Sequence, residues 1–136
     1  MFEIFDHTAD LGIRVRADDL SGLFEEAGRA LFSVLLTNLD AVRPQERIEL
    51  ELETPDRADL LHDWLAELLY RFDAERFVAA RFDVEIGGTG LKAVVHGEPI
   101  DPARHELDAE VKAVTYHGLK VEPDAAGWLA EVILDI

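Results

Sequence analysis

A histidine and an aspartate stand three residues apart in Asp6-His7-Thr8-Ala9-Asp10, and a second aspartate, Asp135, directly precedes Ile136 at the far end of the sequence. An imidazole beside carboxylates can move protons or hold a cation. The Asp135 side chain next to the terminal main-chain carboxylate puts two anions at one tip. Asp10 adds a third if the first and last strands pair, a costly grouping unless a cation or protons neutralise it. Oxygen donors suit calcium or magnesium better than zinc. Position alone leaves the ordinary alternative in front, because a terminal aspartate is usually just solvated. His117 is the remaining candidate. In Val111, Ala113, Thr115, His117, Leu119 and Val121 the alternation places it on the apolar face of a strand, where a hydrogen-bonded core histidine is the commoner outcome. Its functional alternative is a pairing with His7 or Asp10 in an acid-base or partner-contact site. His62, His96 and His105 lack metal-ligand spacing and receive no role.

Several chemistries find no support. There is no cysteine, hence no disulfide framework, thiolate zinc site or cysteine nucleophile. No nucleophile elbow, Walker-type loop or zincin histidine pair occurs. Gly87-Gly88-Thr89-Gly90 could suggest a phosphate loop, but a strand pattern follows it where a helix is required, so a hairpin turn is expected. The formal net charge of -16 opposes a phosphate backbone, and the few Lys and Arg residues form no dense basic stretch, so direct high-affinity nucleic-acid binding is not expected. An acidic surface suits a basic protein partner or cations, or serves only solubility. No apolar run approaches the roughly 18 residues of a membrane span, and the N-terminus lacks the features of a secretory signal, which makes the cytoplasm the expected location.

The elements that must position these residues follow from periodicity. Residues 2–16 read as a strand interrupted at His7-Asp10, because Phe2 and Ile4 are even-numbered while Leu11, Ile13 and Val15 are odd-numbered. The chain must bulge or loop there. Asp18-Asp19 opens a helix whose stripe is Leu20, Leu23, Phe24, Ala27, Leu31, Val34 and Leu35. Residues 46–53 alternate as a half-buried strand. Thr54-Pro55 is expected to cap a second helix with the stripe Leu60, Leu61, Trp64, Leu65, Leu68, Leu69 and Phe72. Strands over 77–86 and 91–95, a polar connection over 99–106, and strands over 111–121 and 128–136 complete the chain. The order predicts an α+β fold of two strand-helix-strand-strand modules, one inserted in the other, with two main helices covering antiparallel or mixed sheets. The outer module is 1–37 plus 107–136, the inserted one 45–100, and the whole of 1–136 is one domain.

Four motifs then carry a resemblance: DHTADLGI at 6–13, LLHDWLAELLY at 60–70, AVTYHGLKV at 113–121, and Trp128 through the terminal LDI at 134–136. In them the chain resembles the archease family, small accessory proteins of RtcB-type tRNA-splicing RNA ligases. The resemblance implies the same two-module (SHS2-like) fold and a divalent metal, calcium first and manganese or magnesium next, held by Asp10, Asp135 and Ile136. It also implies a non-enzymatic role. The protein would promote GTP-dependent guanylylation of the ligase active-site histidine and multiple turnover in joining tRNA exons. Apart from the resemblance, the positions of His7 and His117 make them candidate partner or activation residues. Two competing readings are an independent metal-dependent hydrolase using Asp10 and His117, and a plain acidic interaction module.

Overall fold

A change of parity marks a place where the chain either bulges or reverses, and the computed structural model, which describes residues 1–7, 10–88 and 90–136, shows a reversal at the first one. Strand β1 (Phe2–His7) pairs antiparallel with β2 (Asp10–Ala17), from Phe2 opposite Val15 to His7 opposite Asp10. The single interrupted strand expected over 2–16 is therefore a hairpin. Thr8 and Ala9 lie outside the described residues. Strand β8 (Gly127–Asp135) pairs with the other side of β2, Leu11 standing opposite Leu134. The far edge of β8 takes two short strands, β6 (Ala113–Val114) and β7 (Lys120–Asp124).

The expected strand over 111–121 is broken between β6 and β7. Val114 faces Leu134 and Lys120 faces Glu131, so six steps on this side match three on β8 and three residues are thrown out as a loop. An odd insertion reverses which side chains point inward. Val114 and Val121 both lean on the core although one is even-numbered and the other odd, and Tyr116 and His117 are carried outward on the loop. Gly118, at φ 65°, supplies the left-handed residue that turns the loop back.

The inserted sheet has the order β3 (Glu46–Glu53), β5 (Gly90–Pro99), β4 (Phe77–Gly87), all antiparallel. Gly88 has φ 57° in the β4–β5 connection, as a hairpin turn requires, while Thr89 lies outside the described residues. Both sheets are antiparallel.

Helix α1 (Leu20–Leu35) starts at Asp19, whose carboxylate accepts the Gly22 N–H at 2.7 Å. It packs on β2 of one sheet and β4 of the other, and so buries Gly28, Ala30 and Phe32 in addition to the expected stripe from Leu23 onward, Leu20 being only half-buried. A Cβ at Gly28 would lie 3.0 Å from the Phe82 ring, so the glycine permits this close approach. Glu25 and Ser21 of α1 accept the Val84 and Ile86 N–H groups at 2.9 and 3.3 Å, closing part of the β4 edge against unwanted pairing. Helix α2 (Arg57–Glu75) buries its whole predicted stripe and also touches both sheets. The indole N–H of Trp64 donates to the Phe24 carbonyl at 2.9 Å, tying α2 to α1 inside one continuous core. The cap of α2 is Asp56, which accepts the Asp59 N–H at 3.0 Å, and not Thr54. The hydroxyl of Thr54 donates instead to Asp63 at 2.8 Å, in the second turn of the helix.

The two connections between the modules meet at a buried carboxylate that periodicity gave no reason to single out. Glu98 accepts the Arg43 N–H at 2.7 Å, a bond from Arg104, and the Nε2–H of buried His105 at 3.0 Å. His105 Nδ1 accepts the Asp101 N–H at 2.8 Å, which leaves its proton on Nε2. Asn38 bonds the Arg104 carbonyl and the Glu106 N–H, both at 2.8 Å, so the residues leaving and re-entering the outer module are joined side by side. Burial alone would raise the Glu98 pKa, but the Arg104 bond, the Arg43 N–H and His105 outweigh it and hold the carboxyl at about 2. A carboxyl depressed in the folded state stabilises fully above its unfolded value of 4.5 and loses that contribution as pH falls towards 2. Glu98→Gln should cost about 2 kcal/mol at neutral pH, on the low side for a buried partner because Arg104 reaches water. Melting curves from pH 7 to pH 2 should show the difference from the parent shrinking below pH 4.5, and a constant difference would contradict this account.

Candidate functional site at the tip of the outer sheet

One face of the outer sheet packs on the helices and the other is open. Along its rows the pairing sets Glu3 by Arg14 and Glu131, then Phe5 by Gly12 and Ile133, and at the tip His7 by Asp10. Since Leu11 lies opposite Leu134, the next position brings Asp10 across from Asp135, and Ala113 faces Asp135 from the other side. The Lys112 N–H donates to the Asp135 carbonyl at 2.7 Å, which fixes the end of β8 in the middle of the sheet and holds Ile136 just beyond it. Three of the four residues singled out at the two ends of the chain are thus brought together by register, and the fourth, Ile136, adjoins them.

Side chains refine the picture. His7 Nδ1 stands 3.8 Å from Asp10 Oδ2, too far for a hydrogen bond, and this one atom is covered without a hydrogen-bond partner although the His7 side chain is 36% exposed. His117 does not lie on an apolar strand face as the alternation predicts: the three-residue insertion places it on an exposed loop. The pairing with His7 nevertheless exists, the two rings standing 5.3 Å apart between centroids at 58°. The loop is anchored on both sides. Thr115 donates its hydroxyl to the Ile133 carbonyl at 3.0 Å and accepts the His117 N–H at 3.2 Å. His62 of α2, left without a role by its spacing, holds the Val114 carbonyl at 2.9 Å and stacks on the Tyr116 ring with centroids 3.9 Å apart. No signal in a single sequence marks His62, because its partners come from a segment some fifty residues away.

Below the tip the open face changes sign. Phe5 covers Gly12, where any side chain would strike its ring, and Arg14 lies over the same ring at 4.7 Å. Lys120 and Arg14 bond Glu131 at 3.0 and 3.3 Å. Desolvation pushes the Glu131 carboxyl up, but the Lys120 bond and the two positive charges bring it below its usual value. The carboxylates of the tip have no such partners: apart from His7 at 3.8 Å, no cation is paired with Asp10 or Asp135 among the described residues. No group of three or more His, Asp or Glu side chains is already gathered at metal-binding distances among those residues. The donors that fit a hard cation are two facing aspartates and the main chain at Ile136, and their chemistry suits it.

Together these features define a small two-module α+β protein whose outer sheet presents an open antiparallel face with an acidic, imidazole-flanked tip. The model of the Archease protein family matches residues 2–136, and the chain belongs to that family. It is 44% identical to protein archease of Methanopyrus kandleri, with 99% of each chain covered, and 43% identical to that of Pyrococcus abyssi, covering 99% of this chain and 98% of the other. The solution structure of protein 1598 of Methanobacterium thermoautotrophicum superposes with a TM-score of 0.86 at 37% identity, covering 99% and 98% of the two chains. A crystal structure of an archease from Thermotoga maritima gives 0.65 at 21% identity over 100% and 98%, a likeness of fold alone.

Proposed function

We propose that this protein is a non-enzymatic activator of an RtcB-type RNA ligase, acting in the cytoplasm through a divalent cation held at the sheet tip by Asp10, Asp135 and Ile136. The observation that carries the reading is the β2–β8 register, which sets the two aspartates face to face beside the last residue. Facing anions repel, and a cation bound between them would remove that cost. When bound, the cation supplies positive charge at an exposed edge where another protein can reach it. The chain's own contribution is positional. β2 and β8 hold the aspartates in register, the Lys112 N–H fixes the end of β8, and the loop bearing Tyr116 and His117 forms a rim that the partner ligase can meet.

The activity is tested by following transfer of GMP to the ligase histidine with and without this protein. Stimulation, and release from single-turnover behaviour, is the expected result, and an unchanged rate would overturn the reading. The ligand set has its own test. Asp135→Asn removes one anion, so calcium affinity measured by calorimetry should fall about tenfold. Equal affinity in Asp135→Asn and the parent would exclude Asp135. A hydrolase acting by itself through Asp10 and His117 gains nothing from the geometry, because His117 is turned toward His7 on an exposed loop.

A further inference from the structure

We propose that His7 is itself a metal ligand, its Nδ1 converting the cation site at the sheet tip into a mixed nitrogen and oxygen site that prefers manganese, cobalt or zinc to calcium. This rests on the cation reading above and names the class of cation that the site takes. The starting observation is an atom without a partner. Among the described residues, His7 Nδ1 is the buried side-chain nitrogen or oxygen that makes no hydrogen bond. The contrast with other histidines is direct: His62 and His105 each engage both ring nitrogens. A buried nitrogen left unpaired costs free energy, and each such group calls for an explanation such as an ion.

Its surroundings favour an ion over a missing hydrogen bond. Nδ1 looks at Asp10 Oδ2 across 3.8 Å. Two donors that each stand about 2.1 Å from a shared ion are separated by roughly 3–4 Å, whereas a hydrogen-bonded pair would be closer. The backbone fixes both donors, because His7 and Asp10 are the closing pair of the β1–β2 hairpin. The His117 ring packs beside the His7 ring. The tip also carries surplus negative charge with no Lys or Arg paired to it among the described residues. Imidazole nitrogen is a borderline donor. It suits zinc and cobalt, and manganese accepts it beside carboxylates, while calcium and magnesium take oxygen. Fewer than three side chains are gathered as they stand, so Asp135 and the main chain beside it must complete the shell, as the cation reading requires.

The test uses the full chain and manganese as the probe. Electron spin-echo spectroscopy of the bound ion should show nitrogen modulation in the parent and in His117→Ala, and none in His7→Ala. Calorimetry should find manganese affinity lowered about tenfold or more in His7→Ala, with calcium affinity within about twofold of the parent. A parent spectrum without nitrogen modulation, or modulation that persists in His7→Ala, would overturn the assignment of His7 while leaving the cation reading standing. If neither manganese nor calcium binds the parent, the cation reading itself falls. Melting curves of His7→Ala in chelator should match the parent, and the parent spectrum decides the question even if they do not.

Discussion

Replacing Asp10 by alanine should return ligase guanylylation to the level seen without this protein, while the melting temperature stays within about 2 °C of the parent. Two parts of the structure separate function from stability here. Asp10 sits at the closing pair of a hairpin on the open face, with its side chain 33% exposed. Its removal therefore opens no cavity, and it takes one anion away from Asp135, which relieves repulsion when no cation is bound. What disappears is one of the two facing carboxylates that define the tip. Single-turnover GMP transfer together with thermal melting decides the matter, and full stimulation by a well-folded Asp10→Ala protein would show that the working surface lies elsewhere.

The largest loss of stability should come from Trp64→Ala, about 4 kcal/mol, or roughly 12–20 °C in melting temperature for a chain of this size. Trp64 is fully buried and holds three elements together. Its indole N–H satisfies the Phe24 carbonyl of α1 at 2.9 Å, and its ring meets Phe82 of β4 edge to face at 6.1 Å. Phe82 in turn meets Phe32 of α1 at 6.0 Å, so one truncation empties the region where both helices and the inserted sheet converge. Such a packing change should weaken both modules together, because they share a single core. Chemical denaturation followed by the fluorescence of Trp64 and Trp128 together and by circular dichroism should stay coincident in the parent. Separate transitions would show that the modules unfold independently.

Periodicity was enough to locate both helices, because the stripes of α1 and α2 repeat every three or four residues and burial depends on that repeat directly. It also located β3, β4, β5 and β8, even though β4 carries a bulge between Ala79 and Arg81. The element order carried the inserted module, since strand-helix-strand-strand recurs in the chain whatever the side chains do. Parity, by contrast, records only that something odd has been inserted. At His7-Asp10 the break is a reversal between two strands, and within 115–119 it is a three-residue insertion that an unbroken alternation of residue types conceals. For that reason His117 moved from an apolar face to an exposed loop.

The sequence placed Asp10 and Asp135 at strand ends, but their meeting depended on which strands became neighbours. β2 and β8 are over a hundred residues apart, and their register keeps the core apolar side chains of both strands on the face that meets α1. The same holds for Glu98 with Arg104 and His105, and for His62 with Tyr116. A lone histidine or glutamate in a sequence shows neither burial nor partner, and both arise only when tertiary packing removes water from around it and leaves a particular donor or acceptor in its place.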